Sequence, residues 1–289
     1  MSAAITLREH IESRARLGAR LLLPALLPQK PAPETVPTGV VEVDALTTGL
    51  PRGALTEICG SASSGRTSLL LSLLAAATGR GEVCALVDAT DAFDPHSAAA
   101  AGVELKRLLW VRCGKTGSRR QAAGGSKSEF SRGSQDYTFG NVASALRATD
   151  LLLAAGGFGV VAMDLGDVPP ATARRIPLTS WFRFRRTVEN TPTVLVVLEQ
   201  EPFARTCASL VLRLEAEELQ WSVAADGGAV KKTTPTDARR EDAGLPPGET
   251  PALLRGLRVH TEVARARHAW PGKMQLATAF QTQAPGGIW

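Results

Sequence analysis

The chain has 289 residues, of which 44% are hydrophobic, so it is long enough to bury a core and is not wholly disordered. Aromatic residues make up only 5%, which predicts an aliphatic, helix-rich core. The net charge of +5 is mildly basic, so a nucleic-acid partner is allowed but not required.

The first part of the chain predicts a helix followed by a linker. Apolar residues recur at helical spacing from Leu7 to Leu22, with charged residues around them. The five prolines between Pro24 and Pro37 cannot continue that helix. We therefore expect an N-terminal amphipathic helix and a Pro-rich linker over residues 1–38.

The chain shows no pattern of a targeting or membrane segment. Charges are spread through residues 1–23, unlike a signal peptide, and no stretch reaches the roughly 18 uncharged apolar residues of a membrane span. The cysteines lie in or beside apolar runs without metal-ligand spacing and predict reduced thiols. They are Cys59, Cys84, Cys113 and Cys207. We expect a soluble, cytoplasmic protein with no membrane partner.

From residue 39 onward, predicted strands alternate with predicted helices. The strands are expected at 54–59, 83–87, 108–113, 160–163, 193–198, 210–214, 258–264 and 274–280, and the helices at 67–77, 142–155 and 178–189. Polar stretches at about 114–136 and 222–251 predict insertions, because they cannot bury apolar area. The alternation predicts an α/β core over 39–289, with a mainly parallel central β-sheet flanked by helices.

The sharpest motif is Gly60-Ser61-Ala62-Ser63-Ser64-Gly65-Arg66-Thr67, between a predicted strand and a predicted helix. It has the G-x-x-x-x-G-K-[ST] plan of a phosphate-binding loop, with Arg66 in place of lysine. The amides of such a loop bind anions at a helix N-terminus. A guanidinium does not contact phosphates in the same way as an ammonium. One interpretation is therefore a loop that binds its ligand without turning it over. The other is a glycine-rich turn that binds no ligand. The candidate nucleotide-binding residues here are Gly60, Ser61, Ser63, Ser64, Gly65, Arg66, Thr67 and Ser68.

Two further motifs flank this loop. Gly49-Leu50-Pro51-Arg52-Gly53 precedes it, and Val87-Asp88-Ala89-Thr90-Asp91-Ala92-Phe93-Asp94-Pro95 follows it. With them, residues 40–113 resemble the core of the bacterial RecA recombinases. The resemblance implies a RecA-like P-loop NTPase core that reaches about residue 280, with ATP and Mg²⁺ as ligands. The N-terminal helix and linker are similar to the arm that bridges protomers in that family, which implies self-association.

The resemblance also assigns roles to single positions. The family's catalytic glutamate, which orients the attacking water, falls on Thr90. Asp164 stands at the metal-binding aspartate, so Thr67 and Asp164 would hold Mg²⁺ through the nucleotide. Gln200 occupies the position of the family's glutamine that senses the γ-phosphate. For both Asp164 and Gln200, the alternative is an ordinary polar side chain at the end of a strand. Because the lysine and the glutamate are replaced, the resemblance implies weak or no hydrolysis, and no catalytic residue is assigned.

Arg265 and Arg267 are two residues apart in a predicted strand. The resemblance places them at two lysines that reach the nucleotide of the neighbouring protomer in a filament. Period-two spacing puts both on one face of the strand, which that role requires. An exposed basic strand face is the alternative.

An arginine-rich aromatic segment covers residues 181–186. It has the composition that stacks on bases and neutralises phosphates. At helical spacing, however, Trp181, Phe184 and Val188 predict a buried stripe. The candidate DNA or partner contacts are therefore the arginines expected to face solvent and those in a shortened loop: Arg174, Arg175, Arg183 and Arg186.

Within the RecA-like proteins, the degraded catalytic positions and shortened DNA loops are most similar to the ImuA-type mutagenesis accessory proteins. This resemblance implies DNA repair and translesion synthesis in the SOS response. The implied partners are RecA, a Y-family polymerase-like protein and an error-prone replicative polymerase, with single-stranded DNA as a further partner. Two alternatives are a DNA-dependent ATPase or recombinase, in which another carboxylate such as Asp91 acts, and a nucleotide-free SOS regulator of cell division.

Overall fold

The computed structural model describes residues 34–114, 127–222, 230–234, 254–267 and 277–283. The predicted N-terminal amphipathic helix and most of the predicted linker lie outside these residues. Among the helices of the described residues, none has the length and apolar character needed to cross a membrane.

The described residues form an alternating series of strands and helices. The strands are β1 (Thr35–Val36), β2 (Leu50–Pro51), β3 (Ala54–Cys59), β4 (Cys84–Asp88), β5 (Leu108–Arg112), β6 (Val160–Asp164), β7 (Val194–Glu199), β8 (Leu210–Ser222), β9 (Val230–Thr233), β10 (Leu254–Ala266) and β11 (Ala277–Gln283). The helices are α1 (Val41–Thr47), α2 (Arg66–Gly79), α3 (Pro95–Ala100), α4 (Lys127–Ala155), α5 (Pro170–Ala173) and α6 (Leu178–Val188).

The main sheet confirms the predicted α/β class with a mainly parallel centre. Its strand order is β11-β10-β8-β3-β7-β6-β4-β5, with β9 paired to β8 off this path. The strands from β8 to β5 are parallel, whereas β9, β10 and β11 extend the sheet antiparallel. The carboxyl ends of the parallel strands meet at one edge, which is where open α/β sheets bind ligands.

Helices cover the sheet on two faces, and this explains why its central strands read as continuous apolar runs. On one face α2 buries Leu69, Leu70 and Leu73 in one hydrophobic cluster. In the other cluster, α6 contributes Trp181, Phe184 and Val188, all fully buried. The predicted buried stripe of this helix is therefore confirmed.

Regular elements of the described residues extend into the two predicted insertions and into the predicted linker. Helix α4 begins at Lys127, inside the stretch 114–136, because extending a helix that is already packed costs little compared with starting one. Strand β8 runs to Ser222 and β9 lies within 222–251, since β8 pairs antiparallel with β10 on one side and with β9, the next strand in the chain, on the other. The linker region contributes β1, which pairs with β2. The rest of both stretches lies outside the described residues.

Two phenylalanines of α6 provide a matched test of this packing. Phe184 is fully buried and Phe182 is 50% exposed, although they are two residues apart on one helix. We expect Phe184→Ala to lower the free energy of unfolding by about 3–5 kcal/mol, because it leaves a cavity. Phe182→Ala is expected to change it by no more than about 0.5 kcal/mol. Urea denaturation of both variants measures the difference, and equal losses would contradict this packing of α6.

Candidate functional site

The loop of residues 60–67, called here the 60–67 loop, connects β3 to α2 at the carboxyl edge of the sheet. The Gly60 amide donates to the carbonyl of Glu199 (3.2 Å), and the Ser64 amide donates to that of Ser61 (3.2 Å). Gly65 has a φ of +90°, and a Cβ there would lie 2.5 Å from Cγ2 of Val259. Glycine is therefore required at this position both by conformation and by space.

The start of α2 presents the features of an anion site. The first amides of a helix have no partner within it and carry the positive end of its dipole. Here the N-cap is Gly65, with no side-chain cap hydrogen bond, and the first turn of α2 holds no acidic residue. Thr67, in that turn, is exposed. This arrangement favours a negatively charged ligand.

Arg66 is folded inward, with only 8% of the residue exposed. Its Nη1 donates to the carbonyl oxygen of Gly166 at 3.2 Å, in the loop that follows β6. Burial lowers the pKa of the Arg66 guanidinium, and the nearby carboxylates of Asp164 and Asp167 act against this shift. The guanidinium thus remains a cation, with a hydrogen bond to a backbone carbonyl and two carboxylates near enough to stabilise its charge.

Asp164 closes β6, next to Asp88 at the end of β4 in the sheet register. Its Oδ1 accepts the amide of Gly166 at 2.8 Å. Burial raises the pKa of Asp164 to about 6, with Asp88 and Asp167 adding to the rise and the Gly166 amide and Arg66 opposing it. The predicted strand-end carboxylate, Asp164, therefore lies near enough to Arg66 for the guanidinium to stabilise its charge.

Gln200 follows β7 and points toward the same loop as Arg66. Its Nε2 lies 3.1 Å from the carbonyl oxygen of Gly166 and 3.3 Å from that of Val168. Two donors, one from the start of α2 and one from the end of β7, thus meet on the Gly166 carbonyl. This carbonyl gave no signal in the sequence, since a backbone oxygen is independent of residue type.

The position of the predicted catalytic glutamate holds Thr90, just beyond β4. Its amide donates to Asp88 Oδ1 at 3.1 Å, and its hydroxyl is buried with no hydrogen-bond partner in the described part of the chain. The neighbouring Asp91 has a φ of +63° and its carboxylate is bound by the guanidinium of Arg112, on edge strand β5. That guanidinium lowers the pKa of Asp91. The carboxylate of Asp91 is therefore already paired, with Arg112 and not with Arg66.

A cavity of about 270 Å³ lies beside Arg66. Of the predicted site residues, it brings together Arg66, Thr67 and Asp164. The loop after β4 and helix α3 supply residues that the sequence did not single out as site residues: Ala92, Phe93, Asp94 and Ser97. This volume lies slightly below the ~300–1,000 Å³ that small-molecule sites occupy.

Arg265 and Arg267 do not line this cavity. Arg265, in β10, donates to the carbonyl of Arg205, and the amide of Arg267 donates to Ser209 at 2.9 Å. The pKa of Arg267 is lowered by burial and by the nearby charges of Arg185 and Arg265. The structure therefore places these residues in a cluster of positive charge apart from the nucleotide-binding candidates of their own chain.

The four arginines proposed as DNA or partner contacts differ in their surroundings. Arg174 pairs with Glu201 at 2.6 Å, and Arg183 pairs with Asp150 at 2.5 Å. The guanidinium of Arg175 lies 4.5 Å from the ring centre of Phe139. Arg186 is exposed. Because exposed ion pairs are weak, all four remain available to an anionic surface.

Sequence reasoning missed a pair of buried acids behind the 60–67 loop. Glu57 in β3 and Glu199 in β7 are nearly fully buried, and one amide, that of Phe203, donates to both carboxylates. Burial and the nearby Glu57 raise the pKa of Glu199 well above its ordinary value, and burial also raises that of Glu57. Glu57 Oε2 and Glu199 Oε1 are buried with no hydrogen-bond partner among the described residues, which adds to the cost of ionising these acids. An acid within an apolar strand was the available signal.

Part of this chain is similar in sequence to known proteins. Residues 11–122 match the family model of the RecA N-terminal domain. Protein RecA of Synechococcus sp. is 48% identical over 77 residues, which are 26% of this chain and 20% of that protein. Protein RecA of Aquifex aeolicus is 40% identical over 95 residues (32% and 28%), and that of Brucella anthropi is 47% identical over 78 residues (26% and 22%). The matched part of the chain thus spans less than a third of the length of these relatives.

The fold and the edge at which the 60–67 loop lies define an α/β protein consistent with a RecA-like core. The sequence matches support a RecA-like family for this chain, with the similarity confined to its N-terminal region.

The buried acid pair predicts an unusual pH dependence of stability. Because the pKa values of both acids are raised, the native state binds more protons than the unfolded state above pH 4.5. The free energy of unfolding therefore falls as pH rises through the raised pKa values. We expect Glu199→Gln, which cannot ionise, to make this fall shallower in urea denaturation between pH 5 and pH 8.

The control for this measurement is Glu42→Gln, at an exposed position of α1 that removes the same charge without touching a buried group. It is expected to keep the wild-type slope. A Glu199→Gln variant with the wild-type slope would contradict a raised pKa of Glu199 in the native state.

Proposed function

We propose that this protein is a RecA-like accessory protein of DNA repair, of the ImuA type, that acts by protein–protein contact in damage-induced translesion synthesis. Its proposed partners are RecA, a Y-family polymerase-like protein and an error-prone replicative polymerase. Self-association and single-stranded DNA are further proposed contacts, and the proposed location is the cytoplasm. In this role the 60–67 loop is a phosphate-binding loop that binds ATP with little or no hydrolysis.

The placement of Arg66 carries this proposal. Phosphoryl transfer requires a cation on the β- and γ-phosphates and a group that orients the attacking nucleophile. At the first position, the head of Arg66 is tied to the Gly166 carbonyl. At the second, Thr90 offers a buried hydroxyl in place of a carboxylate. The anion-binding start of α2 is retained while both groups that drive turnover are altered.

A functioning DNA-dependent ATPase is less well supported. It needs another carboxylate in the role of the missing glutamate, and Asp91 is the neighbour in sequence. The carboxylate of Asp91 is instead bound by both Nε and Nη2 of Arg112. Releasing it would break a charge-assisted, two-bond contact.

A nucleotide-free regulator of cell division is the second candidate. The size of the cavity beside Arg66, about 270 Å³, favours it, because this volume lies below the ~300–1,000 Å³ that small-molecule sites occupy. Calorimetric titration with a non-hydrolysable ATP analogue separates the two candidates. Saturable binding supports the accessory protein with a nucleotide site, and its absence supports the nucleotide-free regulator.

Restoring the two altered groups tests the disarmed site. We expect the wild type to hydrolyse ATP little or not at all with Mg²⁺ and single-stranded DNA. The double variant Arg66→Lys, Thr90→Glu is expected to raise the rate by about tenfold or more, because a positioned general base typically contributes at least that much. Adding Asp164→Ala should abolish the gain. Phosphate release measures all three.

The control is Arg80→Lys at the opposite end of α2, where the side chain pairs with Glu82. It is expected to leave the rate at the wild-type level. Wild-type turnover that Asp164→Ala removes would replace the accessory role by an ATPase. No gain in the double variant would contradict a site disarmed by Arg66 and Thr90 alone.

The partner assignment has its own test. The full chain, tagged and expressed in cells with damaged DNA, is expected to co-purify with RecA and with a Y-family polymerase-like protein. The same preparation from undamaged cells is the control. Recovery of neither protein from damaged cells would contradict the proposed role in translesion synthesis.

A further inference from the structure

Several arginines lie together where the end of β10 passes a short 3₁₀ turn at residues 205–207. They come from the last turn of α6, from the 3₁₀ turn and from the end of β10, and are called here the arginine cluster: Arg185, Arg205, Arg265 and Arg267. The guanidinium of Arg265 donates to the carbonyl oxygen of Arg205. The amide of Arg267 donates to the carbonyl oxygen of Ser209 at 2.9 Å. The three members outside α6 are exposed.

Helix α6 adds a fourth positive charge to the arginine cluster. It packs against the 3₁₀ turn, and the charge of Arg185 acts on Cys207 in that turn and on Arg267. Burial and the charges of Arg185 and Arg265 lower the pKa of Arg267, while Cys207 and Glu189 act against this shift. Guanidinium groups that repel one another are stabilised when an anion lies between them. The cluster is therefore suited to a ligand with several negative charges.

Exposed apolar side chains of α6 lie beside the arginine cluster. Leu178, Phe182 and Arg185 are four and three residues apart, so they follow one another along one side of the helix. Phe182 is 50% exposed and Leu178 is 41% exposed, whereas Trp181 and Phe184 are fully buried. A half-exposed ring thus lies one helical turn from a guanidinium of the cluster, and a flat group can stack on it.

We propose that the arginine cluster and Phe182 bind single-stranded DNA, the arginines through its phosphates and the ring through a base. The inference rests on the proposed contact with single-stranded DNA and assigns that contact to this surface. Binding of a single strand combines positive charge along the backbone with aromatic rings that stack on bases. A guanidinium binds phosphate oxygens through parallel donors. An acidic protein segment has carboxylates for the arginines but no base for the ring.

The arginine cluster is better prepared for a phosphate than the arginines that pair with carboxylates. Arg174 is bound by Glu201, and Arg183 is bound by Asp150. A phosphate must displace or share those carboxylates. The guanidinium of Arg265 is positioned by a neutral carbonyl oxygen, so this contact fixes the side chain without neutralising its charge.

The test is fluorescence anisotropy of a labelled thymidine oligomer of about 20 nucleotides, titrated with the full chain at several salt concentrations. We expect saturable binding by the wild type and a Kd about tenfold or more higher for the double variant Arg265→Ala, Arg267→Ala. The slope of log Kd against log salt should fall by about 1.4, because each phosphate contact to a single strand contributes about 0.7.

The matched control is the double variant Arg107→Ala, Arg258→Ala. It removes the same charge from arginines that pair with Glu104 and Glu217. It is expected to keep the wild-type Kd and salt slope. If the cluster variant also keeps both, the inference is overturned, while the proposed contact with single-stranded DNA stands at other residues. No binding by the wild type at low salt means instead that the proposed DNA contact itself has failed.

Phe182→Ala tests the ring separately. We expect the Kd to rise about fivefold or more with an unchanged salt slope, because stacking on a base involves no phosphate. This position is exposed, so the loss is not explained by unfolding. Wild-type affinity in Phe182→Ala would overturn the role given to the ring.

Competition separates DNA from an acidic protein segment. Unlabelled thymidine oligomer should displace the labelled one, and poly-glutamate at the same concentration of charge should displace it far less. Equal displacement would overturn the inference in favour of an acidic protein segment. This measurement and Phe182→Ala leave the arginine cluster unchanged, so both stand if the variant Arg265→Ala, Arg267→Ala does not fold.

Discussion

The hydrogen bond from the Arg66 guanidinium to the Gly166 carbonyl joins the beginning of α2 to the loop after β6. Gln200 brings the end of β7 to the same oxygen, so three neighbouring elements of the carboxyl edge meet at one backbone atom. Burying an arginine is costly unless opposite charge and hydrogen bonds offset the loss of water. Asp164 and Asp167 provide that charge, and the shape and charge of the cavity beside Arg66 follow from this contact.

Acidic side chains organise the rest of this edge. Asp88 accepts the amides of four residues of the loop that follows β4, and Asp164 accepts one amide of the loop after β6. Glu57 accepts the amides of Phe203 and Ala204 beyond β7. Each buried carboxylate fixes the course of a loop by collecting its amide protons, which is the condition under which charge is tolerated inside a protein. The edge is therefore rich in hydrogen-bonded carboxylates, with Arg66 as a cation among them.

The regular elements were largely predictable. Strand β3 was predicted with its observed limits, and Trp181, Phe184 and Val188 were predicted as the buried stripe of α6, because period and apolar content are local properties. The 60–67 loop was placed at its strand–helix junction for the same reason. The extents of α4 and β8 were not predictable from local pattern. The start of α4 depends on the packing of the later part of the same helix, and the length of β8 depends on its pairing with β10.

The sequence alone determined which groups are present. These are a glycine-bounded loop before a helix, an arginine where a lysine is usual, a threonine at position 90 and an aspartate at the end of β6. The tertiary structure decided what each group touches. That Arg66 reaches Gly166, that Arg112 binds Asp91, and that Glu57 and Glu199 accept the same amide depends on how the strands are placed beside one another. Contacts of this kind come from sheet order and register, which a local pattern does not encode.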